Sequence, residues 1–252
     1  MLLAIDIGNT NVKLAVMKGR RVLGDYVIEN NALQAGLDKT LNRIKKDFPH
    51  LRRAILCSVV PNRLKTVERA IKKSLTIQPA VVGRDVQVPI RNNYRNPKQV
   101  GQDRLVCAYA ALEIYGRPAV VIDLGTAITF DAISRSGAYE GGMIVPGIQM
   151  SSESLFQNTA LLPRVSLYKS PRVLIGKNTQ ESILSGIFYG YGTMCCGLID
   201  QLSKELSGKP KVIVTGGHTH LMRKFIQKKI TKIDPYLVFK GMALLAARHY
   251  DQ

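Results

Sequence analysis

The chain has 252 residues, of which 46% are hydrophobic, 21% charged and 6% aromatic, and its formal net charge is +18. These proportions exclude a disordered, collagen-like or coiled-coil chain. No apolar run approaches the roughly 20 residues that cross a bilayer, and the N-terminus does not resemble a signal peptide. The sequence therefore predicts a cytoplasmic globular protein with no membrane contact.

The predicted elements alternate between strands and helices, which favours an α/β fold. In chain order they are a hairpin from residue 2, amphipathic helices over 33–48 and from Pro61 to 75, a strand over 53–60, a strand near 80–82, a polar loop over 91–97, a helix over 103–115, a second hairpin from residue 120, a long helix over 184–202, a strand over 211–214 and a closing helix over 242–250.

The positive charge is concentrated in two stretches. Residues 39–73 contain eleven Lys or Arg, and residues 209–232 contain seven with no acidic residue. Apolar residues at helical spacing between the bases of the first stretch favour solvated helix faces, and base-stacking aromatic residues and nucleic-acid-binding motifs are missing. We therefore predict no nucleic-acid partner, although a positive field would attract anionic substrates.

Four cysteines are present, Cys57, Cys107, Cys195 and Cys196. None forms a Cys-x-x-Cys pair or has a histidine at zinc spacing, so neither a disulfide framework nor a zinc site is indicated. We interpret them as core thiols.

An internal repeat organises the chain. The strand and turn of residues 2–10 are echoed by residues 120–127, and in both copies an apolar strand runs into Asp-x-Gly with a threonine nearby. Each copy predicts a β-hairpin with polar residues at its tip. The repeat distance of about half the chain predicts two related domains, residues 1–116 and 117–252, with a ligand cleft between them.

The hairpin tips have the chemistry of a phosphate site. Glycine lets a backbone N–H approach a phosphate oxygen, and a threonine hydroxyl adds a donor. A carboxylate beside phosphate implies a cation between them, which makes Asp6 and Asp123 candidate Mg²⁺ ligands. Two tips could grip a triphosphate, and the paired glycines Gly216 and Gly217 after a buried strand leave room for adenosine. Lys13 could reach phosphate or could be a solvated strand lysine.

The whole set of motifs resembles type III pantothenate kinase, within the superfamily of actin, Hsp70 and sugar kinases. The resemblance rests on the two hairpin tips and on four further motifs, and it runs from Asp6 to Gly217. It implies two actin-like domains with mixed sheets, ATP-dependent phosphorylation of pantothenate to 4′-phosphopantothenate as the first step of coenzyme A synthesis, and a homodimer. The motifs are Gly101-Gln102-Asp103-Arg104, the stretch from Asp123 to Asp131, the stretch from Glu140 to Gly147, and Gly176-Lys177-Asn178-Thr179.

Asp103 is the candidate catalytic base. A carboxylate at a helix start can orient and deprotonate an acceptor hydroxyl, and the resemblance implies the same role; a helix cap is the alternative. Arg104 offers a forked donor for the carboxylate of pantothenate or forms a structural ion pair. The resemblance also implies that Tyr94, Gly101 and Gln102 line the substrate pocket.

Further roles follow from the resemblance. It implies that Thr179 enters the pocket of the neighbouring subunit, although Asn178 and Glu181 have helix-capping spacing that would make Thr179 a helix start. It also implies a monovalent cation, K⁺ or NH₄⁺, at Asp123, beside ATP and Mg²⁺. The residues predicted to bind ATP are Asp6, Ile7, Gly8, Asn9, Thr10, Asn11, Val12, Lys13, Thr126, Gly216 and Gly217.

Two alternatives stay open on the sequence. One is a kinase or phosphatase of the same fold that acts on another small molecule, because a fold fixes the nucleotide chemistry better than the acceptor. The other is a basic nucleic-acid-binding regulator built on a degenerate kinase body. The retention of Asp6, Asp103 and Asp123 together argues against the second alternative.

Overall fold

The computed structural model describes residues 1–250. The chain forms two compact units. Among the described residues, the first unit contains residues 1–90, 95–110 and 236–250, and the second contains residues 91–94 and 111–235. Each unit has its own mixed sheet and its own apolar core.

The first unit is built on a five-stranded sheet with the order β3-β2-β1-β4-β5. Strands β1 and β2 form the predicted hairpin, with Asp6 paired to Lys13, while β1 and β4 run parallel. The strands are β1 (Leu2–Ile7), β2 (Asn11–Lys18), β3 (Arg21–Glu29), β4 (Arg53–Ser58) and β5 (Ala80–Val81).

The second sheet repeats this topology strand for strand. Its order, β8-β7-β6-β9-β10, is that of the first sheet with each strand replaced by its counterpart, and β6 again pairs antiparallel with β7 and parallel with β9. The predicted duplication and the α/β fold class are confirmed. The strands are β6 (Ala119–Leu124), β7 (Ala127–Ile133), β8 (Tyr139–Pro146), β9 (Lys211–Thr215) and β10 (Lys232–Ile233).

Helices cover both faces of the first sheet. On one face, α1 (Leu33–Asp47) and α2 (Pro61–Leu75) bury their apolar stripes in the core, where Leu41, Ile44 and Ile71 are fully buried. The lysines of these helices are exposed, as the sequence predicts. On the other face lie the start of α3 (Gln102–Tyr115) and α7 (Leu237–Tyr250).

The second unit contains α4 (Ile148–Gln157), α5 (Thr179–Glu205) and α6 (Thr219–Ile226). Within residues 1–250, α5 is the helix that is long and apolar enough to cross a membrane, with a mean hydropathy of 1.4. Its residues Ile187, Phe188, Cys195 and Ile199 are nevertheless packed in the core of the second unit. One face of α5 therefore lies in the apolar core of the second unit.

The compact units depart from a simple division of the chain at residue 116. Helix α7 packs against β1, β2 and β4 of the first sheet, because its side chains Phe239 and Met242 fill the same apolar core as Val106 and Tyr109 of α3. Residues 91–94 join the second unit, where the backbone of Arg91 and Asn93 pairs with Tyr139 at the start of β8.

Candidate active site

The first sheet places three polar side chains on the face that α3 covers. Asp6 on β1 is paired with Lys13 on β2 and with Cys57 on β4, so the three side chains share a face. Asp6 and Lys13 are half-buried and Cys57 is fully buried. The carboxylate of Asp6 therefore lies at the end of β1, on the same sheet face as the Lys13 side chain.

The start of α3 brings Asp103 to the same region. Negative charge on Asp6 and on Asp103 raises the pKa of the Cys57 thiol, in addition to the larger effect of burial, so both carboxylates lie within electrostatic reach of this sulfur. Two of the three acids singled out in the sequence, Asp6 and Asp103, thus lie near the same thiol within the first unit. They do so because α3 packs across the sheet face that carries Asp6.

Asp103 occupies the first turn of α3. Its Oδ1 accepts a hydrogen bond of 2.8 Å from the backbone N–H of Arg104, and Gly101 is what leaves space for the carboxylate, since a Cβ at residue 101 would lie 2.5 Å from Oδ1. Burial raises the pKa of Asp103, and the N–H and the positive charge of Arg104 oppose that rise. A half-buried carboxylate of raised basicity suits a general base.

The chain turns between β1 and β2 at Gly8, Asn9 and Thr10, which we call the first tip. The N–H of Gly8 donates to the carbonyl of Asn11 at 3.0 Å and closes the hairpin. Asn9 and Thr10 are exposed, whereas Ile7 and Val12 on either side are fully buried in the core. Ile7 and Val12 could therefore reach a ligand through backbone groups alone.

The second tip, Gly125 and Thr126, connects β6 and β7 and is one residue shorter. The N–H of Gly125 donates to Ala127 at 3.1 Å. Asp123 pairs with Thr129 on β7 and with Thr215 on β9, so its half-buried carboxylate lies at the end of β6 just as Asp6 lies at the end of β1. Thr126, at the tip, is exposed.

Two glycines adjoin the second tip and tolerate no larger residue. Gly216 has a φ of +97° and lies against the backbone of Leu124 and the Asp123 carboxylate; a Cβ here would be 2.6 Å from the Leu124 nitrogen. Gly147 donates its N–H to the carbonyl of Thr126 at 3.1 Å and leaves no space for a Cβ beside that oxygen. The stretch from Glu140 to Gly147 forms most of strand β8, and its last residue, Gly147, contacts the second tip. Gly217 is exposed, with open space around its Cα.

The predicted pocket residues are divided between the two units. Gly101, Gln102 and Arg104 belong to the first unit with Asp103. Tyr94 belongs to the second, where its ring packs at 6.4 Å from that of Tyr139. Thr179 is the exposed first residue of α5.

The start of α5 has the predicted helix cap. The side chain of Asn178 accepts from the N–H of Glu181 at 2.9 Å, and the Glu181 carboxylate accepts from the N–H of Lys177 at 2.8 Å. This reciprocal cap fixes the first turn of the helix. The hydroxyl of Thr179 therefore stands beside a rigid helix end.

None of the four cysteines forms a disulfide; Cys57, Cys107 and Cys195 are buried and Cys196 is half-buried. Among residues 1–250, no group of three or more His, Cys, Asp or Glu side chains gathers into a metal-binding cluster.

Three residues that contact the tips were not identified from the sequence. Asn30 and Arg63 donate to the carbonyl oxygens of Gly8 and Asn9. The backbone N–H of His218 donates to the Leu124 carbonyl, and its ring Nδ1 lies 3.3 Å from the Gly125 carbonyl oxygen. Their partners lie 21 to 93 residues away in the chain, so no local pattern indicates them.

Comparison with known proteins identifies the family. A family model described as type III pantothenate kinase matches residues 2–201. A type III pantothenate kinase of Persephonella marina is 38% identical over 99% of both chains, and that of Moorella thermoacetica is 37% identical over 99% of this chain and all of its own.

The fold also matches a solved structure at low sequence identity. Component A of (R)-2-hydroxyglutaryl-CoA dehydratase from Acidaminococcus fermentans aligns with a TM-score of 0.56 and 13% identity, over 99% of this chain and 97% of that one. This similarity concerns the fold alone. The family match and the full-length relatives show that the chain belongs to the type III pantothenate kinase family.

Proposed function

We propose that this protein transfers the γ-phosphoryl group of ATP to the primary hydroxyl of pantothenate, with Asp103 as the base. Family membership supports the substrates. The position of Asp103 supports its role: it is half-buried in the first turn of α3, has a raised pKa, and shares the surroundings of Cys57 with Asp6. This convergence of Asp6 and Asp103 is the observation that carries the assignment.

In this proposal Asp103 accepts the proton of the acceptor hydroxyl as the new P–O bond forms and the bond to the ADP oxygen breaks. Its raised pKa makes it a better proton acceptor than an ordinary aspartate at neutral pH. Arg104, whose N–H holds Oδ1, orients the carboxylate and offers its guanidinium to the carboxylate of pantothenate. Most of the rate enhancement of such a transfer comes from positioning and charge neutralisation.

The tips supply phosphate contacts. In the first unit, the exposed residues Asn9 and Thr10 offer backbone N–H groups to phosphate oxygens, and Lys13, paired with Asp6 on the neighbouring strand, adds a positive charge. In the second unit, the exposed residue Thr126 offers the corresponding groups. Gly216 and Gly217 lie at the end of β9, and the open space at Gly217 suits the adenosine moiety.

The carboxylates of Asp6 and Asp123 offer oxygen atoms to cations, and that of Asp6 suits Mg²⁺, which keeps several of its waters. Each ends a strand with no cluster of three acidic, histidine or cysteine ligands among residues 1–250, and Mg²⁺ in nucleotide sites is held by one or two carboxylates, phosphates and water. We assign Mg²⁺ to Asp6 and K⁺ or NH₄⁺ to Asp123. When bound, such ions neutralise charge on the phosphates.

A homodimer in the cytoplasm is part of the proposal. The segment before α5 exposes large apolar side chains, with Leu161 at 92%, Tyr168 at 91% and Ile175 at 72%. Exposed apolar side chains concentrated in one segment are typical of a protein interface. A second copy that covers this segment would also receive Thr179, which begins α5 directly after it.

The test is a pantothenate phosphorylation assay with ATP and Mg²⁺, with and without K⁺, in which the product is identified by mass spectrometry. We expect K⁺-dependent formation of phosphopantothenate and, for Asp103→Asn, unchanged ATP affinity with a kcat at least ~100-fold lower. Glu113→Gln, which removes a carboxylate later in α3, is the control. An unchanged kcat in Asp103→Asn would refute the role of this residue.

The alternatives give different results in the same experiments. A kinase for another small molecule would phosphorylate a different hydroxylated acid in a substrate panel and leave pantothenate unlabelled. A nucleic-acid-binding regulator would lack turnover and would bind DNA with a steep dependence on salt.

A further inference from the structure

The backbone of the first tip is held from behind by two side chains. Asn30 follows β3, and its Nδ2 donates to the carbonyl oxygens of Gly8 at 3.2 Å and Asn9 at 2.6 Å. Arg63, in the first turn of α2, donates from Nη1 to the same two oxygens at 3.3 Å and 3.1 Å. Two consecutive carbonyls thus each accept from an amide and from a guanidinium.

The tip is tied further through the backbone of Asn30, whose N–H donates to the carbonyl of Thr10 at 3.1 Å. A trans peptide unit is planar, and its C=O and N–H point in opposite directions. The carbonyl of Gly8 shares a peptide unit with the N–H of Asn9, and the carbonyl of Asn9 shares one with the N–H of Thr10. Fixing these carbonyls therefore turns both N–H groups to the opposite side.

The side chain of Asn30 satisfies only one of its two polar atoms. Its Oδ1 is buried and accepts no hydrogen bond from any residue in the range 1–250, and a buried acceptor without a donor is unfavourable. An apolar side chain of similar size would avoid that penalty. The presence of an amide at residue 30 is therefore better explained by the two carbonyl oxygens that its Nδ2 binds than by a contribution of its Oδ1 to stability.

The second unit holds its tip by the same scheme with different residues. Gly147, which follows β8 as Asn30 follows β3, donates its N–H to the Thr126 carbonyl at 3.1 Å. His218, which follows β9 as Arg63 follows β4, lies with Nδ1 3.3 Å from the Gly125 carbonyl. The duplicated topology places a carbonyl anchor at both corresponding positions, although the side chains differ.

We propose that Asn30 and Arg63 are positioning residues for ATP: they fix the peptide units of the first tip so that the N–H groups of Asn9 and Thr10 face the phosphates. This inference rests on the proposed function, in which the first tip binds phosphate. Neither residue touches the reacting atoms. Their effect is to preorganise donors, which makes ATP binding independent of a rearrangement of the loop.

The test compares Asn30→Leu and Arg63→Gln with matched controls. Asn31→Leu removes the adjacent, exposed asparagine, and Arg69→Gln removes the same charge from an exposed position on α2. Measurements are the KM for ATP, the KM for pantothenate, calorimetric affinity for Mg·ADP and for pyrophosphate, and the melting temperature.

We expect Asn30→Leu and Arg63→Gln to raise the KM for ATP and the Kd for Mg·ADP by about tenfold, the effect of one hydrogen bond to a charged group. The KM for pantothenate should change by less than about twofold, and the controls should match the wild type. The double variant should lose less than the product of the two single effects, because both side chains hold the same two oxygens.

The inference is overturned if the ATP parameters of both variants equal those of the controls, or if the KM values of the two substrates rise together with a large loss of melting temperature. Failure of the proposed function looks different. In that case the wild type leaves pantothenate unphosphorylated, while the affinity for Mg·ADP still depends on Asn30 and Arg63. A wild type that binds neither Mg·ADP nor pyrophosphate would overturn both.

Discussion

Gly216 is the position in the second unit where an added methyl group should lower the stability strongly. Its φ of +97° is accessible to glycine, and a Cβ would lie 2.6 Å from both the nitrogen and the carbonyl carbon of Leu124 and still closer to the Asp123 carboxylate. Gly217, the next residue, has open space around its Cα and no positive φ. The two neighbours therefore form a matched pair for Gly→Ala substitution.

The magnitude follows from two contributions. A non-glycine residue held in such a conformation costs about 1–3 kcal/mol, and an added carbon that must push backbone aside costs about 1–3 kcal/mol more. A total of roughly 2–6 kcal/mol corresponds to a fall in melting temperature of ~5–20 °C for a chain of this size. Gly217→Ala should stay within about 0.5 kcal/mol of the wild type, as other surface substitutions do.

The assay is thermal unfolding followed by circular dichroism, with K⁺-dependent activity measured on the same samples below the transition. Gly216→Ala should lower the melting temperature and weaken K⁺ activation, because its Cβ displaces the Asp123 carboxylate. Equal melting temperatures for the two variants would show that the backbone at Gly216 is neither strained nor crowded, and the argument would fail.

The remaining predictions concern three other sites. Because burial raises the pKa of Asp103, a pH-rate profile should show kcat/KM falling on acidification at a pH above the ordinary aspartate pKa of about 4. Arg104→Gln should move that fall to still higher pH, because the positive charge of Arg104 lowers the pKa of Asp103. The pKa of Asp103 is higher in the folded state than in the unfolded state, so the ionised carboxylate destabilises the folded protein at neutral pH. Asp103→Asn should therefore raise the melting temperature at neutral pH. The increase should vanish at a pH below the unfolded-state pKa, where the carboxyl group is protonated in both states. Gly147→Ala should raise the KM for ATP, because its Cβ displaces the carbonyls of the second tip. Tyr139→Phe removes the 2.8 Å hydrogen bond to the buried carboxyl group of Asp131 and should cost about 1–3 kcal/mol in urea denaturation.

Strong local patterns predicted most of the fold. The period of the apolar residues in α1 and α2 identified helices whose stripes are buried, and Pro61 marks the first residue of α2 as expected. Strand β3 was not predicted, because it is an edge strand whose residues, apart from Ile28, are exposed or half-buried. Strand β8 was not recognised as a strand either, since two adjacent glycines, one of them Gly141 with a φ of +126°, interrupt its pattern.

The residues of the candidate site also differ in whether a local sequence pattern indicates them. The sequence predicts Asp6, Asp103 and Asp123 as candidate site residues because each is an acidic residue near the end of a recognisable element. The residues that hold the tips could not be found in this way, because a side chain that bonds a carbonyl 54 or 93 residues away leaves no periodic trace. Their positions follow instead from sheet topology, which no local pattern contains.

The duplicated topology explains why the anchors recur although their side chains do not. In each unit the strand that carries the aspartate lies between an antiparallel neighbour and a parallel one. The residue after the third strand of the meander and the first residues after the parallel strand therefore both reach the same tip. Gly147 meets this requirement with a backbone N–H, so that position can be occupied by a residue without a side chain, whereas the longer first tip exposes an additional carbonyl that needs the Nδ2 of Asn30. Lengthening the second tip by one residue should consequently raise the Kd for Mg·ADP, because Gly147 has no side chain to hold the added carbonyl and no space for one.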